Sequence, residues 1–179
     1  MTHLTRFVLA MRRLFDPLAE GLVGLAALML LAMALLINVE VLGRYIFAFS
    51  TLISDEYSGY LFTGMTLLCL LHALRSGRIL RVEAVVHRLS GKAQDLLLLP
   101  TSLVGLLVSA VLTKATFALL SMNWMFNSVS LQPSQTPLWI PQAVMPLGFA
   151  LLGLGYLERF LTAILHLTGH LSRDQEEMA

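Results

Sequence analysis

Residues 18–43 read LAEGLVGLAALMLLAMALLINVEVLG, with no charged side chain between Gly21 and Ile37. This stretch decides the fold class. The hydrocarbon core of a bilayer is about 30 Å thick and a helix rises about 1.5 Å per residue, so about 20 apolar residues cross it. Lipid offers no hydrogen bonds, so every backbone N–H and C=O in such a segment needs an internal partner, and a helix provides one. Three more stretches qualify, at about 57–74, 96–122 and 140–167. Residues 1–179 are therefore expected to form a single domain, an all-α membrane protein with four transmembrane helices. Composition agrees: 57% of the 179 residues are hydrophobic and 13% charged, with mean hydropathy +0.77, too apolar for the surface of a water-soluble domain of this size.

Arg12 and Arg13 ahead of an apolar run could also open a secretory signal. The segment that follows, Asn38-Val39-Glu40-Val41-Leu42-Gly43-Arg44-Tyr45, has no small-x-small cleavage site, and the run is longer than a signal core. It reads as a retained span.

Lysine and arginine in the short connections set the orientation. Arg6, Arg12 and Arg13 precede the first span, and Arg75, Arg78, Arg81, Arg88 and Lys92 lie between the second and third. Both regions are expected in the cytoplasm. The first outer connection has Arg44 against Asp55 and Glu56, one of which it is expected to pair with, and the second, from Asn123 to Trp139, has no charge. Four spans then return the C-terminus, with Arg173 and its acidic tail, to the inside. Two amphipathic segments, at about 4–15 and 79–89, are expected to lie in the cytoplasmic interface. In the first, Leu4, Phe7, Val8, Met11 and Phe15 share a side, and in the second Ile79, Val82, Val86 and Leu89 recur at helical spacing. Asp16-Pro17 reads as a cap and first-turn proline opening the first span.

A net charge of +1 gives no general attraction to nucleic acid, and the single cysteine, Cys69, excludes a disulfide framework or a thiol metal cluster. Ionisable groups within spans are functional candidates because each is costly in hydrocarbon. Glu40 and Lys114 stand at similar depths towards the outer side, either paired or snorkelling separately. No file of charges crosses the membrane, which argues against a self-sufficient pump. His72 and His166, near the inner ends of their spans, could instead ligate a b-type haem in the membrane anchor of a respiratory oxidoreductase. Gly59, Thr63 and Gly64 offer a small-residue face in the second span, and Pro141, Pro146, Gly148, Gly153 and Gly155 punctuate the fourth. Trp124 and Trp139 fit an outer aromatic belt.

Four patches in order resemble one family. They are Asn38 to Phe47 with Glu40, Arg44 and Tyr45; Ser54-Asp55-Glu56 opening the second span; Arg75-Ser76-Gly77-Arg78-Ile79-Leu80-Arg81-Val82-Glu83; and Ser134-Gln135-Thr136-Pro137-Leu138-Trp139-Ile140-Pro141 leading to Pro146-Leu147-Gly148. Together they resemble the small membrane subunit, the DctQ-type Q subunit, of tripartite ATP-independent periplasmic (TRAP) transporters. Ile53 stands where the family often has tryptophan, and Ile79 where it often has histidine. The resemblance implies a bacterial inner-membrane protein without catalytic residues or cofactor. It also implies two partners: a large membrane subunit carrying the transport path, and a periplasmic substrate-binding protein. Such systems use a sodium gradient to take up organic acids. In them the small subunit resembles a scaffold for the static part of the transporter.

Overall fold

A computed structural model describes residues 3–47, 53–76 and 91–168. These residues form five helices: α1 (His3–Phe47), α2 (Ser54–Arg75), α3 (Gly91–Met125), the single turn α4 (Trp139–Gln142) and α5 (Val144–Leu167). No strand occurs among them, and four candidate membrane spans emerge: Ala10–Phe47, Ser54–Arg75, Leu96–Met125 and Trp139–Leu167. The interfacial segment expected at 79–89 lies outside the described residues, as do Gly77, Arg81 and Glu83.

The first helix departs from expectation. It does not start at Asp16-Pro17 but runs through Pro17 as one helix of 45 residues. At about 1.5 Å per residue this is about 68 Å, more than tilting absorbs across a core of about 30 Å, so part of α1 stands outside the hydrocarbon. The N-terminal turns also differ from a helix whose apolar face meets lipid. Val8 and Phe15 are buried by protein, and Val8 packs with Leu165 and Leu161 at the C-terminal end of α5. Because the helix is unbroken at Pro17, these turns are carried along α5 instead of peeling away.

The helices make a row rather than a closed bundle. α1 packs on α2, α2 on α5, and α5 on α3. Glycines set the spacing within it. A Cβ on Gly148 would stand 2.7 Å from Leu67 Cβ and 3.2 Å from the Leu67 carbonyl oxygen, and one on Gly155 would stand 2.8 Å from Leu74 Cδ2. These two residues bring α5 directly against α2. Gly153 turns the other way, where its Cβ would meet Ser109 Cβ at 3.3 Å, and Gly105 on α3 accommodates the Tyr156 ring. Gly64 receives the Met29 side chain of α1 at 3.2 Å. In lipid, where helices gain little from hiding apolar surface, this close fit is the main source of association.

Both span-four prolines occupy first turns, Pro141 in α4 and Pro146 in α5, where the missing N–H would have had no helical acceptor. Hydroxyls inside the spans bond to their own helix: Thr66 to the Phe62 carbonyl at 2.8 Å, Thr113 to Ser109 at 2.7 Å and Thr162 to Glu158 at 2.9 Å. That is the local solution where no water is available. The outer faces of the two flanking helices remain apolar and uncovered, with Leu28, Leu31, Leu35 and Val39 on α1 and Val104, Leu107, Val111 and Phe117 on α3.

The two glycine environments separate packing from mere exposure. Gly148→Ala forces a Cβ into Leu67 side-chain and backbone atoms and is expected to destabilise by about 1–3 kcal/mol. Gly59→Ala, whose Cβ meets nothing within 4 Å, should stay within about 0.5 kcal/mol of the parent. Unfolding of the purified chain in mild detergent reads both.

Candidate functional site

Polar side chains gather at the two ends of α2. Glu56 and Arg75 are 19 residues apart, about 28 Å along a helix axis, close to the thickness of a hydrocarbon core. Glu56 and the Arg75–Glu158 pair thus stand at opposite ends of α2.

At the C-terminal end of α2 Arg75 bridges three helices. Its Nη2 and Nε donate to Asp16 Oδ1 on α1 at 2.5 and 2.9 Å, and its Nη1 donates to Glu158 Oε2 on α5. The guanidinium carbon lies 5.9 Å from the Phe15 ring centre, within reach of a cation–π attraction. Arg159 reaches back from α5 to donate to the Leu74 carbonyl, one of the α2 C-terminal carbonyls that lack helical donors. Side-chain exposure ranks the two ion pairs: Arg75 is 14% exposed and Glu158 11%, whereas Asp16 is 56% exposed. The Glu158 contact is the desolvated one. Removing a partner there leaves a buried charge, at a cost of about 3–5 kcal/mol, whereas the Asp16 contact is worth about 0–1 kcal/mol.

At the N-terminal end of α2 Glu56 is buried among hydroxyls. Tyr60 donates to its Oε1 at 2.5 Å, and Ser134 donates to its Oε2 from the connection between α3 and α4. Thr136 Oγ1 donates to Ser134 Oγ at 3.0 Å, and Tyr57 OH and Thr136 Oγ1 also lie 3.0 Å apart. The connection is itself well tied. Ser130 N–H bonds the Thr136 carbonyl at 2.9 Å, Leu138 N–H bonds Ser128 at 3.0 Å, and an isolated bridge joins Val129 to Pro137. Pro133 takes the second position of a turn closed by Gln135 N–H on the Gln132 carbonyl at 3.0 Å. Asn127 and Gln135 adopt left-handed backbone angles, φ 46° and 45°, at the bends. Asn123 and Gln142 join α3 to α4 at 2.6 Å, beside the edge-on pair of Trp124 and Trp139, whose centroids are 4.4 Å apart.

The expected site residues therefore separate. Asp55, Glu56, Gly59 and Pro141 line one cavity at the N-terminal end of α2, whereas Pro137 bridges to Val129 within the connection and Trp139 pairs with Trp124 of α3. Asn38 bonds its own helix at Ala34 (2.7 Å), and Tyr45 projects outward. Arg44 pairs with Glu40 one turn back on α1, at 3.4 Å, instead of with Asp55 or Glu56. The carboxylate that could have met it from α2, Glu56, is occupied by Tyr60 and Ser134. Lys114 is exposed on α3, at the opposite edge of the row from Glu40, so the two do not pair. Pro146 is buried and Gly148 packs on Leu67.

Sequence reasoning missed Glu158. Its signal was an acid placed before Arg159 and more than two turns inside the end of the last span. Such a group either pairs or destabilises the helix.

The Arg75 cluster yields a ranked test. Arg75→Met should cost about 3–5 kcal/mol by stranding Glu158, and Asp16→Asn less than about 1 kcal/mol. Unfolding of the purified variants in detergent gives the ranking. Equal losses from the two substitutions would refute the assignment of Glu158 as the dominant partner.

No curated protein matches the chain. A family model described as "Tripartite ATP-independent periplasmic transporters, DctQ component" matches residues 33–166, from the middle of α1 to the end of α5, and so takes in α2, the connection between α3 and α4, and Glu158. The chain belongs to the DctQ component family of tripartite ATP-independent periplasmic transporters, as a small membrane subunit of that type.

Proposed function

We propose that this subunit is a non-catalytic scaffold, in the bacterial inner membrane with both termini cytoplasmic, for the large transport subunit of a sodium-driven organic-acid importer. A periplasmic binding protein delivers the substrate. The observation that carries this reading is where the polar groups go. Arg75, Asp16 and Glu158 bind helix to helix at one end of α2, and Glu56 binds the outer connection at the other. Transport at membrane depth needs polar groups that exchange partners with substrate and ion. Groups fixed to each other instead stiffen a wall. The apolar faces of α1 and α3 suit lipid and a membrane partner, and the segment at 79–89 supplies inner-surface contact with lipid head groups. The haem-anchor alternative, resting on His72 and His166, is not favoured by a match to a transporter component.

The large subunit should co-purify with this chain in mild detergent, and deletion of the chain should abolish uptake. Glu40→Gln and Lys114→Met, made singly, should alter assembly or stability more than substrate or sodium affinity. Uptake by the reconstituted complex, normalised to assembled protein across a sodium series, is the measurement. A large shift in sodium dependence with assembly intact would place either residue in the coupling machinery and end the scaffold reading.

A further inference from the structure

Between the head of α2 and the start of the fourth span lies a cavity of about 410 Å³ whose lining includes Asp55, Glu56, Tyr60, Gln132 and Gln142. Gly59 keeps one wall open. Asp55 is exposed and makes no ion pair among the described residues, and both Glu56 oxygens are held by uncharged hydroxyls. Nearby cations do not compensate them. The connection from Asn123 to Trp139 contains no lysine or arginine, and Arg44 lies against Glu40. Two carboxylates thus share a cavity without a cation.

Next to Gln132, Leu131 projects with its whole side chain in the open. The connection that carries it is pinned by the Ser130–Thr136 and Leu138–Ser128 hydrogen bonds, by the bridge from Val129 to Pro137 and by Ser134 on Glu56. An apolar side chain held out on a fixed loop can be covered with little ordering cost, which favours its use as an anchor in a protein contact. An anionic lipid surface would be repelled by the adjacent carboxylates, whereas a basic protein surface would be drawn to them.

We propose that this cavity and Leu131 form a docking surface for a soluble protein partner, which places a lysine or arginine side chain at Asp55 and covers Leu131 with an apolar contact. The inference rests on the orientation and assembly proposed above. It predicts that binding weakens with salt through Asp55 and loses a salt-independent part with Leu131.

The test uses the whole transporter in nanodiscs, with its own soluble binding protein as the probe, and measures binding across an ionic-strength series. Asp55→Lys should weaken binding at least tenfold and flatten the salt dependence, and Leu131→Ser should weaken it several-fold with the salt dependence kept. Large-subunit content should match the parent in both. Binding within twofold of the parent for both variants would overturn the docking surface while leaving the scaffold reading intact. Loss of the large subunit from the variants, or a fall from two copies of this chain to one, would overturn it by assigning the surface to a membrane partner or to self-association. Failure of the parent to hold the large subunit would defeat both proposals.

Discussion

The contact of Arg75 with Glu158 is the interaction on which the rest of the structure leans. One guanidinium, 14% exposed, joins the end of α2 to α5 and, through Asp16, to α1. Arg159 returns the tie by donating to Leu74. From that fixed end the three helices run outward with their spacing set by Gly148, Gly155 and Gly64. At the other face Glu56 gathers the connection between α3 and α4 onto α2. The same constraint explains both ends and the stretch between them. Within about 30 Å of hydrocarbon a polar group must be satisfied by the chain itself, so charges belong at the faces and glycine contacts belong between them.

Much of this was legible in the sequence because lipid simplifies the reading. Four long apolar runs had one viable backbone conformation, and the described residues hold four helices long and apolar enough to cross a membrane, the first of them starting well before Leu18. The N-terminal end of α2 was also readable, since Asp55, Glu56 and Pro141 stood out beside apolar runs and line one cavity there. What the residues did not reveal was pairing. Local signals at Pro17 pointed to a helix start, yet tertiary packing of Val8 and Phe15 keeps the helix running through it. Arg44 was expected to reach across to α2, but the Glu40 carboxylate four residues back on the same helix is its partner. Glu158 and Arg75 are 83 positions apart, and no periodicity within either helix points to the other.

The layout bears directly on how such a subunit can work. In a row of helices clamped at both ends, the uncovered faces of α1 and α3 are available to neighbours without any rearrangement of the row itself. A partner that moves against one of these faces meets mostly apolar side chains, with Lys114 exposed on α3. The acidic groups Asp55 and Glu56, at the N-terminal end of α2, lie off this path.

The central claim is that this chain stays rigid while its partner transports, and an internal lock tests it most directly. Ser109 and Gly153 face each other across α3 and α5, with Cβ positions 3.3 Å apart, near the range a disulfide spans. In the assembled transporter, with Cys69→Ser as background, Ser109→Cys together with Gly153→Cys should form a bond under oxidation and leave sodium-driven uptake within twofold of the reduced form. Loss of uptake on oxidation, restored by a reducing agent, would contradict the account by showing that α3 and α5 must move apart during transport.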